Sequence, residues 1–164
     1  MMDRVIVVSA CLLGVGCRYD GRKNLCKEVV ALKDSFFLLP VCPEQLGGLP
    51  TPRPPAKIYG GDGFSVIEGE GRVLTVERKI DVTSEFLKGA VESVKLADIY
   101  KEKVVCVILK ERSPSCGVKT IYNFNSDTLK QGKGVAAALF IRNGYKVISS
   151  EELEKIKKLK REFK

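Results

Sequence analysis

The chain has 164 residues, of which 45% are hydrophobic and 29% are charged, a balance that excludes a mainly disordered protein and fits one domain with a core. Its 28 Lys and Arg side chains exceed its 20 Asp and Glu side chains, which gives a net charge of +8. This charge fits a nucleotide-sized anion as readily as nucleic acid. Because no basic stripe is interleaved with aromatic residues, we expect no dedicated nucleic-acid-binding protein.

Histidine is absent from the chain, and cysteine is frequent. The absence of His excludes Ser-His-Asp and Cys-His catalysis and every zinc site that needs imidazole, so a bound metal must be held by sulfur or carboxylate. Since the core composition is normal, we interpret the cysteines as metal-binding or reactive residues rather than as a disulfide framework. They are Cys11, Cys17, Cys26, Cys42, Cys106 and Cys116.

The N-terminal region contains a largely apolar stretch from Val5 to Val15, and LLGVGC at its end has some likeness to a lipoprotein cleavage site. The preceding MMDR is charge-balanced, and Gly14 stands where a Leu-like residue is typical, which argues against a signal peptide. No apolar run reaches the ~20 residues that span a bilayer. We therefore expect a cytoplasmic protein without membrane association.

The first half of the chain contains two runs typical of strands buried on both faces, VIVVS at 5–9 and FFLLPV at 36–41. A short helix is predicted between them, over 24–33. The four prolines of GGLPTPRPP at 47–55 predict a stiff extended loop. The alternating pattern over 64–78, broken at Glu70-Gly71, predicts a β-hairpin or a loop excursion at the edge of the sheet.

The second half continues the alternation of helix and strand. Helical spacing predicts a helix over 81–100, with Asp81 or Thr83 as its cap. VVCVIL at 104–109 predicts the most buried strand, and a polar loop, KERSPSCG, follows it. A helix over 135–144, a strand over 145–149 and a basic terminal helix from Glu151 complete the pattern. It predicts an α/β fold: one domain over 1–164 with an open, mostly parallel, Rossmann-like sheet, helices on both faces and a small hairpin insertion.

Three cysteines follow the ends of three predicted strands: Cys11, Cys42 and Cys116. Because the carboxyl ends of parallel strands share one edge of a sheet, where ligands bind, we expect these thiols to meet there. Three soft thiolates without His suit an iron-sulfur cluster better than a hard cation. A [4Fe-4S] cluster has four irons, each of which usually binds one protein ligand, so with three cysteines one iron would have no protein ligand.

The other cysteines have simpler interpretations, with one exception. Cys106, inside a strand, and Cys26, inside a predicted helix, are interpreted as packing residues. Cys17 lies in the loop after the first strand and is a candidate ligand, substrate contact or spare residue. A zinc site made of Cys11, Cys17, Cys42 and Cys116 is the alternative to a cluster.

Four sequence blocks support a resemblance to a known family. They are SACLLGVGCRYDG at 9–21, PVCPEQLGGLPTPRPPA at 40–56, DVTSEFLKGA at 81–90 and LKERSPSCG at 109–117. These blocks closely resemble the family of thiouracil desulfidases, whose members carry a [4Fe-4S] cluster, and they run in the family's order over essentially the whole chain.

The resemblance implies a cluster held by Cys11, Cys42 and Cys116, with Glu44 as the acid/base carboxylate and Ser113 as the assisting hydroxyl. Without it, the residues alone leave the choice between Ser113 and Ser115 open. The implied reaction removes sulfur from a thiolated pyrimidine, a nucleobase or nucleotide, and puts oxygen from water in its place. The thiocarbonyl sulfur, a soft donor, suits the open iron.

Two other functional interpretations follow from the same cysteines: an iron-sulfur protein for electron transfer or redox sensing, and a zinc-stabilised binding domain without catalytic activity. An RNA-binding protein is a weaker alternative. Gly132-Lys133-Gly134 before a predicted helix is a candidate anion seat, although such turns are usually only turns. Basic side chains in the motif loops are candidate contacts for substrate or for another loop's carboxylate: Arg18, Arg53, Lys110 and Arg112.

Overall fold

A parallel four-stranded sheet forms the centre of the computed structural model, which describes residues 3–163. Its strands are β1 (Val5–Ser9), β2 (Phe37–Val41), β5 (Val104–Leu109) and β8 (Val147–Ser149), in the spatial order β2, β1, β5, β8. All three neighbouring pairs are parallel. The predicted α/β class, the parallel sheet and its four strands are confirmed, with boundaries within two residues.

Helices cover both faces of this sheet. α1 (Lys27–Val30), continued by a 3-10 turn to Asp34, and α6 (Leu153–Glu162) pack on one face, where Ile6 and Val8 point. α4 (Thr83–Ile99) and α5 (Val135–Arg142) pack on the other face, against Val7. Alternate residues of β1 therefore enter two different cores, as the period of two in a strand requires. None of the helices in residues 3–163 combines the length and apolar character of a membrane span.

Helix α1 begins three residues later than predicted. The backbone N–H groups of Asn24 and Cys26 donate to the carbonyls of Cys11 and Leu12, at 2.9 Å each. These bonds tie the segment before α1 to the turn after β1, and the backbone of Cys26 is extended (φ −116°, ψ 108°), so the helix begins only at Lys27. Helix α4 lies within the predicted range, but the predicted cap is wrong, because its N-cap residue is Val82, which makes no side-chain cap bond. The Asp81 carboxylate, one residue earlier, accepts from the N–H of Thr83 at 2.9 Å.

The prediction that β2 is buried on both faces is wrong. β2 lies at the edge of the sheet, and Phe37 and Pro40 are exposed. The edge position explains how Pro40 is accommodated, because proline has no N–H to donate and an edge strand leaves one side without a partner strand.

The predicted hairpin over 64–78 is also wrong in its first half. Residues Gly63–Ile67 form helix α3, and β4 (Arg72–Thr75) pairs antiparallel with β3 (Ala56–Tyr59) in a separate two-stranded sheet. Helix α3 forms because the Asp62 carboxylate accepts from the N–H groups of Phe64 and Ser65, while the Ser65 hydroxyl accepts from the Asp62 N–H. This capping box outweighs the alternating pattern.

A third sheet was not predicted. β6 (Thr120–Tyr122) and β7 (Leu129–Gln131) pair antiparallel after the polar loop that follows β5. A small core with Ile58, Val66 and Ile121 joins both two-stranded sheets and α3 to α4 and α5. These additions stand beside the carboxyl edge of the central sheet and supply side chains to the cleft described next.

Candidate active site

Cys11, Cys42 and Cys116 line one cleft of about 590 Å³ at the carboxyl edge of the sheet. Cys11 lies in the 3-10 turn Ala10–Leu13 directly after β1, and Cys42 is the N-cap residue between β2 and helix α2 (Pro43–Leu46). Cys116 lies in the irregular loop after β5. The structure thus brings together the three cysteines that the sequence placed at strand ends.

Cys17, whose role the sequence left open, lines the same cleft and is buried. The neighbouring Cys17 thiol lowers the pKa of Cys11 and of Cys42 to about 7 each. The Cys11 and Cys42 thiols and burial raise the pKa of Cys17. Its carbonyl oxygen also accepts from the Cys42 Sγ at 3.7 Å. Cys17 is therefore a neighbour of two candidate ligands.

Cys116 has different surroundings. Burial raises the pKa of its thiol to about 12, and the Ser115 Oγ lies 3.6 Å from its Sγ. Cys106 is fully buried in the core with β1, as expected of a packing residue, and burial raises its pKa to about 12 as well. Cys26 lies outside the cleft and donates to the Glu28 carboxylate at 3.5 Å.

The cysteines do not converge in the manner of a zinc site. A zinc ion needs its ligand atoms about 2.0–2.3 Å from one point. In the described range 3–163, no three Cys, Asp or Glu side chains meet in a geometry that could hold one ion. A cubane cluster binds each cysteine through a different iron, so its ligands surround a larger volume and need no common point. Soft thiolates without histidine around one cleft are the donor set that an iron-sulfur cluster uses.

Glu44 lies on α2, two residues beyond Cys42, and has a partner at each carboxylate oxygen. Oε1 accepts from the Arg53 Nε at 3.0 Å, and Oε2 accepts from the Ser115 Oγ at 2.8 Å. The Glu44 side chain remains 15% exposed, whereas that of Arg53 is 4% exposed. Glu44 lines the cleft together with the cysteines, so its carboxylate is placed where a substrate can reach it.

The two serines of the SPSC segment occupy different positions. Ser113 Oγ accepts from the backbone N–H groups of Ser115 and Cys116, both at 3.1 Å, and lies 2.8 Å from the Ser115 Oγ. A hydroxyl has one proton and two acceptor sites. Since Ser115 donates its proton to Glu44, Ser113 must donate to Ser115. Ser115 is thus the direct neighbour of Glu44, and Ser113 lies one hydrogen bond behind it.

Arg53, in the proline-rich loop, joins three segments of the chain. Besides Glu44, its guanidinium donates to the carbonyls of Cys17 at 2.8 Å and Pro50 at 3.1 Å, and to the Thr51 hydroxyl at 3.0 Å. Four of its five N–H donors are used in this way. Of the two partners expected for Arg53, substrate or another loop's carboxylate, the structure provides the carboxylate.

The other basic candidates also line the cleft, each with a protein partner. Arg18 donates to Asn24 at 2.9 Å, Lys110 donates to the Glu111 carbonyl at 2.9 Å, and Arg112 pairs with Glu151 at 2.9 Å. Burial lowers the pKa of Lys110.

The proposed anion seat before α5 is filled by the protein itself. The carbonyl of Pro114 accepts from the Val135 N–H, and that of Ser115 accepts from the N–H groups of Ala136 and Ala137. Backbone carbonyls of the Cys116 loop therefore take the first N–H groups of the helix, and Gly132-Lys133-Gly134 is a turn. A Cβ on Gly134 would lie 2.4 Å from the carbonyl carbon of Ser115, so this approach requires glycine.

Several cleft residues were not foreseen. Lys57 on β3 and Tyr122 on β6 line the side formed by the two small sheets, whose pairing the sequence pattern did not indicate. Glu111, at the start of the Cys116 loop, is buried and accepts several backbone hydrogen bonds. Only its place directly beyond a buried strand, two positions after Leu109, could have drawn attention to it.

Comparisons with known proteins identify the family of the chain. The model of the family described as 2-thiouracil desulfurase matches residues 6–152. The uncharacterized protein YbbK of Bacillus subtilis (strain 168) is 43% identical over 153 residues, which cover 93% of this chain and 99% of YbbK. A solved structure, the [4Fe-4S]-dependent thiouracil desulfidase TudS (DUF523Vcz), is 38% identical with a TM-score of 0.80 and covers 94% of this chain and 95% of its own. The chain belongs to the 2-thiouracil desulfurase family.

Proposed function

We propose that the protein is a [4Fe-4S]-dependent desulfidase that removes sulfur from a thiouracil-like pyrimidine, replaces it with oxygen from water and releases sulfide. The observation that carries this proposal is the meeting of three strand-end cysteines with Glu44 in one cleft. Membership of the 2-thiouracil desulfurase family and the similarity to TudS support it. The single domain that performs this reaction extends over 1–164.

Cys11, Cys42 and Cys116 hold the cluster in this proposal, and one iron has no protein ligand. When bound, the cluster supplies a soft Lewis acid for the thiocarbonyl sulfur. The support from the chain is the donor set: three sulfur atoms around one cleft and no histidine. Cys17 is a neighbouring thiol rather than a ligand.

Glu44 is the acid/base group of the proposal. Its carboxylate takes a proton from the water that attacks the ring carbon and returns it to a leaving atom. The Arg53 guanidinium, fixed by two carbonyls and one hydroxyl, holds Oε1 at 3.0 Å and so fixes the direction of Oε2. Oε2 is the oxygen that exchanges the proton, because its partner is the Ser115 hydroxyl, whereas the partner of Oε1 is a cation.

Ser113 assists through Ser115. The hydroxyl of Ser113 orients that of Ser115, which in turn donates to Glu44. When Glu44 gains a proton, the Ser115 proton can turn toward another acceptor, and the Cys116 Sγ at 3.6 Å is within reach. The pair of serines therefore lets the carboxylate change its protonation state without leaving an unpaired buried group.

The proposed substrate is a small thiolated nucleobase or nucleotide. A cleft of about 590 Å³ lies within the range of small-molecule sites and is large enough for a pyrimidine. The reaction exchanges C=S for C=O, consumes one water and produces one hydrogen sulfide. Carbon keeps its oxidation state, so the reaction needs no electron donor or acceptor.

The decisive experiment is purification without oxygen, followed by iron and acid-labile sulfide analysis and an assay of sulfide release from thiouracil. We expect about four iron atoms per chain, as a [4Fe-4S] cluster requires, and uracil and sulfide in equal amounts. Replacing any of the three proposed ligands by Ser should remove most of the iron, whereas Cys26→Ser, the matched control outside the cleft, should retain it. A cluster without sulfide release would contradict the proposed reaction, and full iron content in Cys42→Ser would contradict the ligand assignment.

The role of Glu44 is tested separately. Glu44→Gln should retain iron and lose about two to four orders of magnitude in kcat, the usual range for loss of a general acid or base. Ser113→Ala and Ser115→Ala should also retain iron, with Ser115→Ala the slower enzyme because it removes the direct partner of the carboxylate. Normal turnover by Glu44→Gln would exclude this carboxylate as the proton acceptor.

A further inference from the structure

The loop that carries Cys116 begins with a buried carboxylate, Glu111, which is 2% exposed. No Lys or Arg nitrogen in residues 3–163 forms an ion pair with it. The neighbouring Lys110 ammonium donates to the Glu111 carbonyl rather than to its carboxylate. A buried charge without a counter-charge is costly unless hydrogen bonds replace its hydration, so such a residue is retained only where the bonds are many.

Hydrogen bonds surround the Glu111 carboxylate. Oε1 accepts from the backbone N–H groups of Val118, Lys119 and Thr120 at 2.9, 2.9 and 3.0 Å, and Oε2 accepts from the Ser149 hydroxyl on β8. Burial alone would raise the pKa of Glu111, but the bonds from Ser149 and the backbone outweigh it and lower the pKa below its usual value. Glu111 is therefore a carboxylate anion at neutral pH.

These bonds close the Cys116 loop at its base. Glu111 stands at one end of the loop. Its Oε1 also accepts from the adjacent Arg112 N–H at 3.3 Å, but three of its four N–H partners stand at the other end, so residues 112–117 are held between them. The segment in between contains Cys116 and both serines of the hydrogen-bonded chain to Glu44. The Glu111 N–H also donates to the Ser150 hydroxyl at 3.1 Å, which ties the same point to the end of β8.

We propose that Glu111 is a positioning residue that holds the Cys116 loop in its cluster-binding shape before the cluster is inserted. The proposal rests on the proposed function only in taking Cys116 as a ligand. A loop with no strand or helix of its own has many conformations, and fixing them when the cluster arrives would reduce the affinity for the third thiolate. Charge-assisted bonds from three consecutive N–H groups remove that freedom in advance.

Hydrogen–deuterium exchange of the cluster-free protein tests this directly. We compare the wild type with Glu111→Gln and Glu111→Ala. In Glu111→Gln, where a neutral amide replaces the anion, the amides of Val118, Lys119 and Thr120 should exchange at least about tenfold faster, since bonds to a neutral acceptor are roughly half as strong. The amides of β1 and β5 should not change. Glu111→Ala should show a larger effect, and the Gln variant keeps the test valid if the Ala variant fails to fold.

The rate of cluster release is a second measurement, and it separates a specific effect on the Cys116 loop from a general loss of stability. In the reconstituted protein, an iron chelator should remove the cluster at least about fivefold faster from Glu111→Gln than from the wild type. The matched control is Glu154→Gln, because the exposed Glu154 carboxylate pairs with Lys157 on the same helix and accepts from none of the three loop amides among the described residues. The control should exchange and release iron as the wild type does.

Two results would overturn the proposal: unchanged exchange at 118–120 in Glu111→Gln, or faster exchange that extends equally over the central sheet. Failure of the proposed function has a different signature. If Cys116→Ser keeps its full iron content, Cys116 is not a ligand, whatever the exchange data for Glu111 show.

Discussion

The cleft has two halves that hold cysteines by different means. Cys11 and Cys42 stand directly after strands, in a 3-10 turn and at a helix N-cap, and the thiol of Cys17 joins them. Cys116 stands in an irregular loop held by the Glu111 carboxylate, the Ser113 hydroxyl and the N-terminus of α5. The strand-end half is fixed by secondary structure, whereas the loop half is fixed by hydrogen bonds from side chains and from a helix terminus. The Glu44–Ser115 bond joins the two halves.

The largest effect is expected from Arg53→Met, which removes the partner that holds Glu44 on the strand-end side. The guanidinium is almost fully buried and bonds Glu44 and two carbonyls, so its loss leaves the largely buried Glu44 carboxylate without a counter-charge and two carbonyls without a donor. Loss of one partner of such a pair costs roughly 3–5 kcal/mol. Urea unfolding of the cluster-free protein without oxygen should show this loss. Arg72→Met, which breaks the exposed pair with Asp81, is the control and should cost no more than ~1 kcal/mol.

The next effect is a difference in the reactivity of the cysteine thiols in the two halves. In the cluster-free protein, Cys11 and Cys42 have a pKa of about 7 and Cys116 a pKa of about 12, although Cys11 and Cys116 are similarly buried. At pH 7.5 the first two are mainly thiolates, and iodoacetamide should modify them about a hundredfold faster than Cys116, after allowance for the lower nucleophilicity of acidic thiols. Peptide mass spectrometry measures the rates, and the urea-denatured protein is the control. Equal rates in the folded protein would contradict the difference.

Substitution of two glycines tests whether each half of the cleft depends on close contact between a helix backbone and the backbone beside the cysteine. A Cβ on Gly89 of α4 would lie 1.7 Å from the Pro43 carbonyl oxygen, behind Cys42, and one on Gly134 would lie 2.4 Å from Ser115, beside Cys116. Each Gly→Ala change forces backbone atoms apart and should cost about 2 kcal/mol, within the usual range for overpacking. The favourable helix propensity of Ala at Gly89 is smaller, about 1 kcal/mol. Urea unfolding measures both, with the exposed neighbour Lys88→Ala as the control.

The same division explains what the sequence could and could not predict. Strand ends are marked by apolar runs, so the meeting of Cys11 and Cys42 followed from VIVVS and FFLLPV and from the geometry of parallel sheets. Cys116 was placed correctly because β5 ends seven residues before it, but the contacts that fix its loop join positions far apart in the sequence. Glu111 with Ser149, and Ser115 with Glu44, are pairs that no local pattern indicates. The sequence also could not show that Ser115, rather than Ser113, is the direct partner of Glu44.

Helix α3 illustrates the other kind of failure. The alternation over 64–78 predicted strand structure, but a local signal, Asp62 followed by Ser65, determined the outcome. A capping box with Ser in place of Glu or Gln at its third position is a weaker sequence signature, and the run was too short for helical periodicity to appear. Because α3 was missed, the pairing of β4 with β3 across it was not foreseen either.

The smallest effect is expected from Asp62→Ala, which weakens the outermost support of the loop half. One Asp62 oxygen caps α3 at Phe64 and Ser65, and the other accepts from the Lys133 N–H at 3.0 Å, next to the glycine that packs on Ser115. Loss of an N-cap costs ~1 kcal/mol. Urea unfolding should show a loss of that size, and Asp62→Asn, which keeps an acceptor for the cap, should restore most of it. If support of the loop extends this far, exchange of the Lys133 and Gly134 amides should rise in Asp62→Ala while the amides around Cys11 keep their wild-type rates.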